Sequence, residues 1–255
     1  MQIIAGKSIQ NQIAAGPLHF YHRQPFPLAA ASLLTPEEET HRFHAAQQRA
    51  ILALDRLYHE ASLDVGMQAA SIFSIHAMLL EDTSFVESVL SSISCEGTTA
   101  EYAVQQAGNR FAAAFADMDS PYMQARGADM RDIANRLIRC LLGTQIPALL
   151  GDSPAILVSD ELLPSEMLAL DRRKLLGLVT WHGSVDSHTA MLLRVLNIPA
   201  LTQTDIPHCW DGHPAILDGF SHCLYIDPEP EIFRQLGLNI PSFLRHEESQ
   251  PMACT

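Results

Sequence analysis

The sequence predicts an α/β unit into which an all-α helical bundle is inserted. Three observations support this. The first 22 residues read as short extended segments, residues 35–143 carry apolar residues at helical spacing, and residues 155–226 alternate apolar runs with short helical segments. The extended N-terminal segment has no core of its own, so we expect it to join the later α/β residues. We therefore assign residues 1–30 and 144–228 to the α/β unit, residues 31–143 to the bundle, and residues 229–255 to a loosely attached tail or linker.

Four or five amphipathic helices are predicted in the bundle. Thr35-Pro36-Glu37-Glu38 is a capping box with proline at the first helical position, and Thr98-Thr99-Ala100-Glu101 is a second capping box. Another helical stretch lies around residues 67–80, and the last helix is expected to stop at Gly143. Short turns join these helices, which is typical of a bundle.

The α/β unit is predicted from four compact apolar runs. They cover residues 155–158, 178–180, 215–218 and 224–226, and we interpret them as strands. A short helix is expected over residues 164–176. A second helix is expected from His188 to Leu196, with Ser187 as its N-cap.

Composition excludes several classes of function. Hydrophobic residues make up 47% of the 255 residues, which is enough to fill a core and excludes a disordered chain. The net charge of −13, without a Lys/Arg-rich run, argues against nucleic-acid binding. This acidity suits a basic protein partner or simple solubility, and composition does not choose between them.

The compartment predicted is the cytoplasm. The N-terminus lacks the features of a signal peptide, and no window reaches about 18 consecutive apolar residues, so we expect no membrane span. The five cysteines are scattered without a C-x-x-C pair, and the histidine- and cysteine-rich stretch 208–223 fits no standard zinc spacing. No metal site is predicted.

The segment richest in possible chemistry runs from Gly183 to Arg194. It delivers His188 to the first turn of an apolar helix, where free backbone N–H groups and the helix dipole favour an anion. An imidazole nitrogen is a good nucleophile near neutral pH. The residues alone therefore indicate either a phosphorylated or anion-binding histidine or an ordinary capping histidine. Arg194 must fold back, or serve a neighbouring element, to take part.

This segment resembles the phosphohistidine motif of Enzyme I of the bacterial phosphoenolpyruvate:sugar phosphotransferase system, and the resemblance continues in order along the chain to about residue 228. The matching motif residues are Gly183, Ser187, His188, Arg194, Leu196, Pro199 and Ala200. Further similar stretches are Ile13-Ala14-Ala15-Gly16, Ile72-Phe73, residues 76–82, residues 122–133 and Leu162-Leu163-Pro164-Ser165-Glu166.

The resemblance implies a swivelling phosphohistidine α/β subdomain with an inserted helical subdomain that docks the small carrier HPr. It implies that His188 takes a phosphoryl group from phosphoenolpyruvate and passes it to a histidine of HPr, supported by Gly183, Ser187, Thr189 and Arg194. The family's phosphoenolpyruvate and magnesium sites lie on a following C-terminal domain. We therefore expect no cofactor in this chain, and no use of phosphoenolpyruvate without that domain.

The resemblance also suggests a partner surface. Met78, Leu79, Phe85 and Met123 are candidates for an apolar HPr-binding patch, with Arg126 at its edge. His76 is expected in the core or at a hinge, and Asp129, Arg131 and Asp132 are expected in structural ion pairs.

The chain departs from the family pattern around the histidine. Ser184 replaces a glycine, Asp186 replaces a threonine, and Leu163 replaces a threonine that caps a helix. These departures leave open a diverged, non-catalytic module that binds HPr.

Overall fold

The computed structural model describes residues 1–238 of the chain. Strands near both ends of this range form one eight-stranded sheet, with the order β1-β8-β7-β3-β4-β5-β6-β2. Their bounds are β1 Gln2–Ala5, β2 Lys7–Gln10, β3 Ile13–Tyr21, β4 Ala155–Ser159, β5 Leu175–Thr180, β6 Ala200–Thr202, β7 Pro214–Asp218 and β8 Cys223–Ile226. The N-terminal segment therefore pairs with the later strands, as the sequence predicts.

Strand β3 joins the antiparallel part of the sheet to the parallel part. Its first half pairs antiparallel with β7, and its second half pairs parallel with β4. Parallel pairing then continues through β5 to β6. Strand β4 is buried at every position, as expected for a strand covered on both faces.

The helical bundle is inserted between β3 and β4. Its helices are α1 Pro36–Leu80, α2 Thr83–Glu96, α3 Ala100–Ala116, α4 Pro121–Gln124 and α5 Arg126–Leu142. The α/β part adds α6 Pro164–Ala169, α7 His188–Val195 and α8 Pro230–Gln235. The predicted fold class is thus confirmed.

Helix ends follow the local sequence signals with one difference. Thr35 caps α1 and Glu38 completes its capping box, while α5 ends at Gly143 in the left-handed region. The second box is shifted by one residue. Thr99, not Thr98, accepts the Tyr102 backbone N–H, and Glu101 instead pairs with Arg42.

Helix α1 is interrupted at Gly66, where φ is +81° and ψ is 157°. Glycine is suited to this conformation because it has no Cβ. The interruption separates the two helical stretches that the sequence predicts.

By length and composition alone, α1 also contains a window apolar enough to cross a membrane, and 39% of that window is buried. The sequence prediction of no span rested on uninterrupted apolar runs, so it did not register this window. In this structure Phe43, Leu54, Phe73 and Leu80 of α1 are fully buried in the bundle core. A core helix of a bundle meets the same criterion, so α1 is weak evidence for a membrane span.

The predicted tail differs from the structure in its first part. Pro230 begins α8, and Phe233 of this helix is only 1% exposed. The buried phenyl ring fixes this segment to the rest of the molecule, so residues 230–235 are not loosely attached. Residues 239–255 of the predicted tail lie outside the described residues.

Candidate phosphohistidine site

His188 is the first residue of α7, at the end of the loop that follows β5. Ser187 caps this helix, because its side-chain oxygen accepts the Ala190 backbone N–H at 3.1 Å. The Thr189 hydroxyl donates to the Leu162 carbonyl oxygen at 2.8 Å, which ties the first turn of α7 to the segment before α6. The position of the histidine is therefore fixed from both sides.

Gly183 and Arg194 shape the loop before His188. Gly183 has φ of +119°, and a Cβ there would lie 3.1 Å from the Thr202 hydroxyl oxygen, so both backbone and space favour glycine. Arg194 folds back and donates to the carbonyl oxygens of Val185 (2.8 Å) and Ile9 (3.2 Å). In this structure its guanidinium therefore holds the loop and strand β2 together, away from the imidazole.

The imidazole of His188 contacts two charged side chains from the helical bundle. Its Nδ1 lies 3.0 and 3.2 Å from the two carboxylate oxygens of Asp129. Nη1 of Arg126 lies 2.5 Å from Nδ1 and 2.6 Å from Nε2 of the same ring. The His188 side chain is only 11% exposed. The site therefore lies at the contact between the α/β part and the bundle.

The tautomer of the histidine follows from these partners. An ionised carboxylate can only accept hydrogen bonds, so the contact with Asp129 requires a proton on Nδ1. In the neutral imidazole this leaves the lone pair on Nε2. Nη1 of Arg126 is almost equally far from both ring nitrogens, so it lies beside the ring and not along this lone pair. Nε2 is thus the nitrogen with nucleophilic character.

Asp129 is the charged centre of the cluster. It also pairs with Arg126 at 3.1 Å, and its Oδ1 lies 3.5 Å from Nε2 of the fully buried His76. Burial by itself raises the pKa of Asp129, but the contacts with His188 and His76 outweigh this and lower the pKa to about 2. The carboxylate therefore stays ionised throughout the neutral range.

A second layer of contacts fixes the cluster. Nδ1 of His76 lies 3.7 Å from Asp132, and the Asp132 carboxylate accepts the Ser165 backbone N–H at 2.9 Å. Arg131 pairs with Glu161 at 2.7 Å. His76 is therefore a core residue and Arg131 and Asp132 make structural contacts, as expected, whereas Asp129 contacts the candidate nucleophile itself. Its role was missed, because Asp129 and His188 are 59 residues apart in sequence.

The three departures from the family pattern have different consequences. Asp186 is exposed, and its backbone N–H donates to the Ser184 hydroxyl at 3.1 Å, so both residues complete a turn of the loop. Leu163 provides no side-chain cap for α6. Glu166 compensates in part, because its carboxylate accepts the Leu163 backbone N–H at 3.0 Å.

The candidate partner residues do not form one exposed patch. Met78 is 70% exposed, and Leu79 and Met123 are half-buried. Phe85 is 1% exposed and packs edge-on against Phe111, so its assignment to a docking surface is wrong. Phe85 lies on the inner stripe of α2.

Arg126 also differs from its predicted place at the edge of such a patch. Its guanidinium is buried against His188 and Asp129 and stacks over the Tyr122 ring at 4.5 Å. Its i,i+3 spacing to Asp129 on a helix was a signal for the ion pair, but not for the histidine.

A cavity of about 420 Å³ opens beside the loop before His188. Its lining includes Lys7, Arg131, His182, Ser184 and Ser187. It provides space for a small group next to the first turn of α7.

Two family models of phosphoenolpyruvate-utilising enzymes match the chain. The model described as "PEP-utilising enzyme, N-terminal" matches residues 5–126, and "PEP-utilising enzyme, mobile domain" matches residues 151–221. These two matches place the chain in the class of phosphoenolpyruvate-utilising enzymes.

Curated sequence relatives indicate one family within this class. The phosphoenolpyruvate-protein phosphotransferase of Bacillus subtilis (strain 168) is 30% identical over 239 residues, covering 92% of this chain and 42% of the relative. That of Listeria innocua serovar 6a is 35% identical over 198 residues, covering 76% of this chain and 35% of the relative.

Solved structures similar to this chain belong to the same family as these relatives. A solution structure of Enzyme I has a TM-score of 0.65 at 25% identity, covering 92% of this chain and 96% of that chain. An "N-terminal domain of Enzyme 1 - Nitrogen" has a TM-score of 0.57 at 26% identity, covering 92% and 98%. The chain belongs to the Enzyme I family, phosphoenolpyruvate-protein phosphotransferase, and corresponds to its N-terminal part. It spans 42% and 35% of the length of the two curated relatives named above.

Proposed function

We propose that the chain carries a phosphoryl group on Nε2 of His188 and exchanges it with the active histidine of HPr. The observation that supports this most directly is the contact between Nδ1 of His188 and the ionised Asp129 carboxylate. This contact leaves Nε2 unprotonated, which a nucleophile for phosphorus requires.

The transfer step follows from this arrangement. The Nε2 lone pair attacks phosphorus in line, the N–P bond forms, and the bond from phosphorus to the donor's nitrogen breaks, with the donor taking the electron pair. The ring of His188 becomes positively charged because Nδ1 keeps its proton. Asp129 stabilises that charge, and such transfers depend mainly on position and electrostatics.

Arg126 has a place in both states of the site. In this structure its Nη1 lies 2.6 Å from Nε2, next to the position where a phosphoryl group would bind. Guanidinium groups pair well with phosphate oxygens, so Arg126 is placed to hold the transferred group after a small displacement. His188 also has to turn outward to meet a partner, since its side chain is largely buried here.

The test is phosphoryl transfer from labelled phospho-HPr to the purified chain. We expect label that is acid-labile and base-stable, as phosphohistidine is, and no label in His188→Ala. His59→Ala is the matched control, because His59 is an exposed histidine of α1 far along the chain from the site. Absence of transfer, or equal transfer in His188→Ala, would overturn the proposal. The reaction should also continue in the presence of EDTA, because the family's magnesium site is expected on another domain.

A surface for HPr is supported by exposed apolar side chains on the second half of α1. Leu63, Met67 and Met78 are 90%, 72% and 70% exposed. Apolar side chains of this kind are enriched in protein interfaces. Their exposure also keeps the alternative open, a module that binds HPr without transferring phosphoryl.

The partner surface is tested by titrating HPr onto Met78→Lys. We expect at least tenfold weaker binding, because the substitution places a charge in an apolar contact. Leu52→Lys is the matched control, since Leu52 is a similarly exposed residue of the first half of α1. Equal effects of the two substitutions would contradict this location. Binding by the wild type without transfer would favour the alternative module.

A further inference from the structure

A second cavity, of about 330 Å³, lies where α1 and α5 meet the segment leading into α6. Its lining includes Arg49 of α1, Arg136 and Arg139 of α5, and the side chains of Asn135 and Ser165. His188, Arg126 and Asp129 do not line it. It is therefore distinct from the candidate phosphohistidine site, although Asp132 and Ser165, which support that site, belong to its lining.

The three arginines have no carboxylate within ion-pair distance among residues 1–238, unlike Arg23, which pairs with Glu166. Each donates one hydrogen bond to a neutral group: Arg49 to the Cys140 carbonyl (3.0 Å), Arg136 to the Ser165 hydroxyl (2.7 Å) and Arg139 to the Gln145 carbonyl (2.7 Å). A guanidinium has five N–H donors, so most remain for other partners.

The Nε of Arg136 is a hydrogen-bond donor without an acceptor. This atom is buried and has no hydrogen-bond partner. Buried donors of charged groups are normally satisfied, because an unmet donor loses its hydration without compensation. An acceptor in the cavity would satisfy this donor only after a shift of the Arg136 side chain, because the atom is closed to solvent in this structure.

The two carboxylates in the lining do not cancel all three arginine charges, because Arg23 matches the charge of Glu166 and Asp132 leaves one negative charge against three positive ones. Glu166 holds Arg23 through both oxygens, at 2.6 and 2.9 Å, and Asp132 accepts the Ser165 backbone N–H. Burial lowers the pKa of the Arg139 guanidinium, and the nearby charge of Arg23 lowers it further. Tyr21, Glu166 and Asp132 raise this pKa, but by less in total. The cavity lining therefore carries a net positive charge, whereas the whole chain has a net charge of −13.

We propose that this cavity binds a small phosphate monoester. Guanidinium forks match phosphate oxygens, and three of them supply the charge that a dianion requires. The Ser165 hydroxyl and Asn135 amide add polar partners, while Ala53, Ile146 and Leu163 line an apolar side for the organic part. The volume is within the range of small-molecule sites, about 300–1,000 Å³.

The test is calorimetric titration of the whole chain with inorganic phosphate and with glycerol 3-phosphate, at constant ionic strength. We expect saturable binding of both, with the ester at least as tight as phosphate, and at least tenfold weaker binding in Arg136→Gln and Arg139→Gln. Arg139→Gln covers the case in which Arg136→Gln fails to fold, because the hydrogen bond of Arg139 goes to a backbone carbonyl and its guanidinium otherwise stacks over the half-buried Phe26 ring at 5.1 Å.

Two control variants show whether the binding depends on this cavity. Arg56→Gln changes an exposed arginine of α1 outside the cavity and should leave binding unchanged. His188→Ala should also leave it unchanged, whatever the outcome of the phosphoryl-transfer test. Three results would overturn the proposal: no saturable binding, equal binding in the cavity variants, or acetate binding as tightly as the phosphate compounds.

Discussion

At the scale of single residues, the contact with Asp129 determines which ring nitrogen of His188 carries the proton. It contacts His188, Arg126 and His76 and is almost completely buried, so one carboxylate fixes the tautomer of the histidine and the position of the arginine. Buried charges are costly unless they are paired, and Asp129 has three partners that can carry positive charge.

The low pKa of Asp129 predicts a pH-dependent contribution to stability. Its folded pKa of about 2 lies below the ordinary value of 3.8, so the ionised group stabilises the folded state above pH 4 and loses that contribution as the pH falls through about 2. Converted at about 1.4 kcal/mol per pKa unit, the contribution is roughly 2 kcal/mol at neutral pH.

Asp129→Asn should therefore unfold about 2 kcal/mol more easily than the wild type at pH 7, and the difference should shrink below pH 4. Urea unfolding between pH 7 and pH 2 measures it, with the exposed Asp152→Asn as control. A difference that is constant with pH would show that Asp129 acts through packing alone.

Sequence reasoning selected His188 and its supporting residues as candidates because they are contiguous and resemble a family motif. Asp129 and Arg126 lie in another motif, and nothing local indicates that the two motifs touch. Phe85 was misplaced for a related reason. An apolar side chain at helical spacing marks a helix face, but the sequence does not say whether that face turns inward.

At the scale of elements, the contact between α3 and α5 determines the position of Arg126 and Asp129, since both lie in the first turn of α5. Gly108 of α3 lies against Ala134 of α5, and a Cβ on Gly108 would be only 2.5 Å from the Ala134 Cβ. Neither atom can rotate away. Glycine is therefore required here by close helix approach, and the sequence shows only a glycine within a helical stretch.

Gly108→Ala should destabilise the protein by about 2 kcal/mol, because overpacking outweighs the better helix propensity of alanine. Adding Ala134→Gly removes the clashing methyl group, so the double variant should recover most of the loss. Ala134→Gly alone should cost about 1 kcal/mol, the usual effect of glycine in a helix. Chemical denaturation of the four proteins gives the coupling energy, and additive losses would contradict a direct contact.

At the scale of the whole molecule, the two structural units share one core. Buried side chains of α1, α3 and α5 form a continuous cluster with Leu157, Leu178 and Leu192 of the α/β part. The other face of the sheet has its own smaller cluster, which includes Ile156, Val158 and Leu217. The sequence predicted two units from their different periodicities, but periodicity does not show whether their cores are joined.

A shared core predicts that both units unfold together, and the chain contains a natural probe for each. Its two tryptophans, Trp181 and Trp210, lie in the α/β part, whereas most helical residues lie in α1, α2, α3 and α5 of the bundle. Urea unfolding followed by tryptophan fluorescence and by circular dichroism at a helix wavelength should give coincident midpoints, as two-state behaviour requires. Gly108→Ala perturbs only the bundle directly, so it provides the stricter test. If the core is shared, it should lower both midpoints equally, and a shift of the helical signal alone would show that the two units unfold independently.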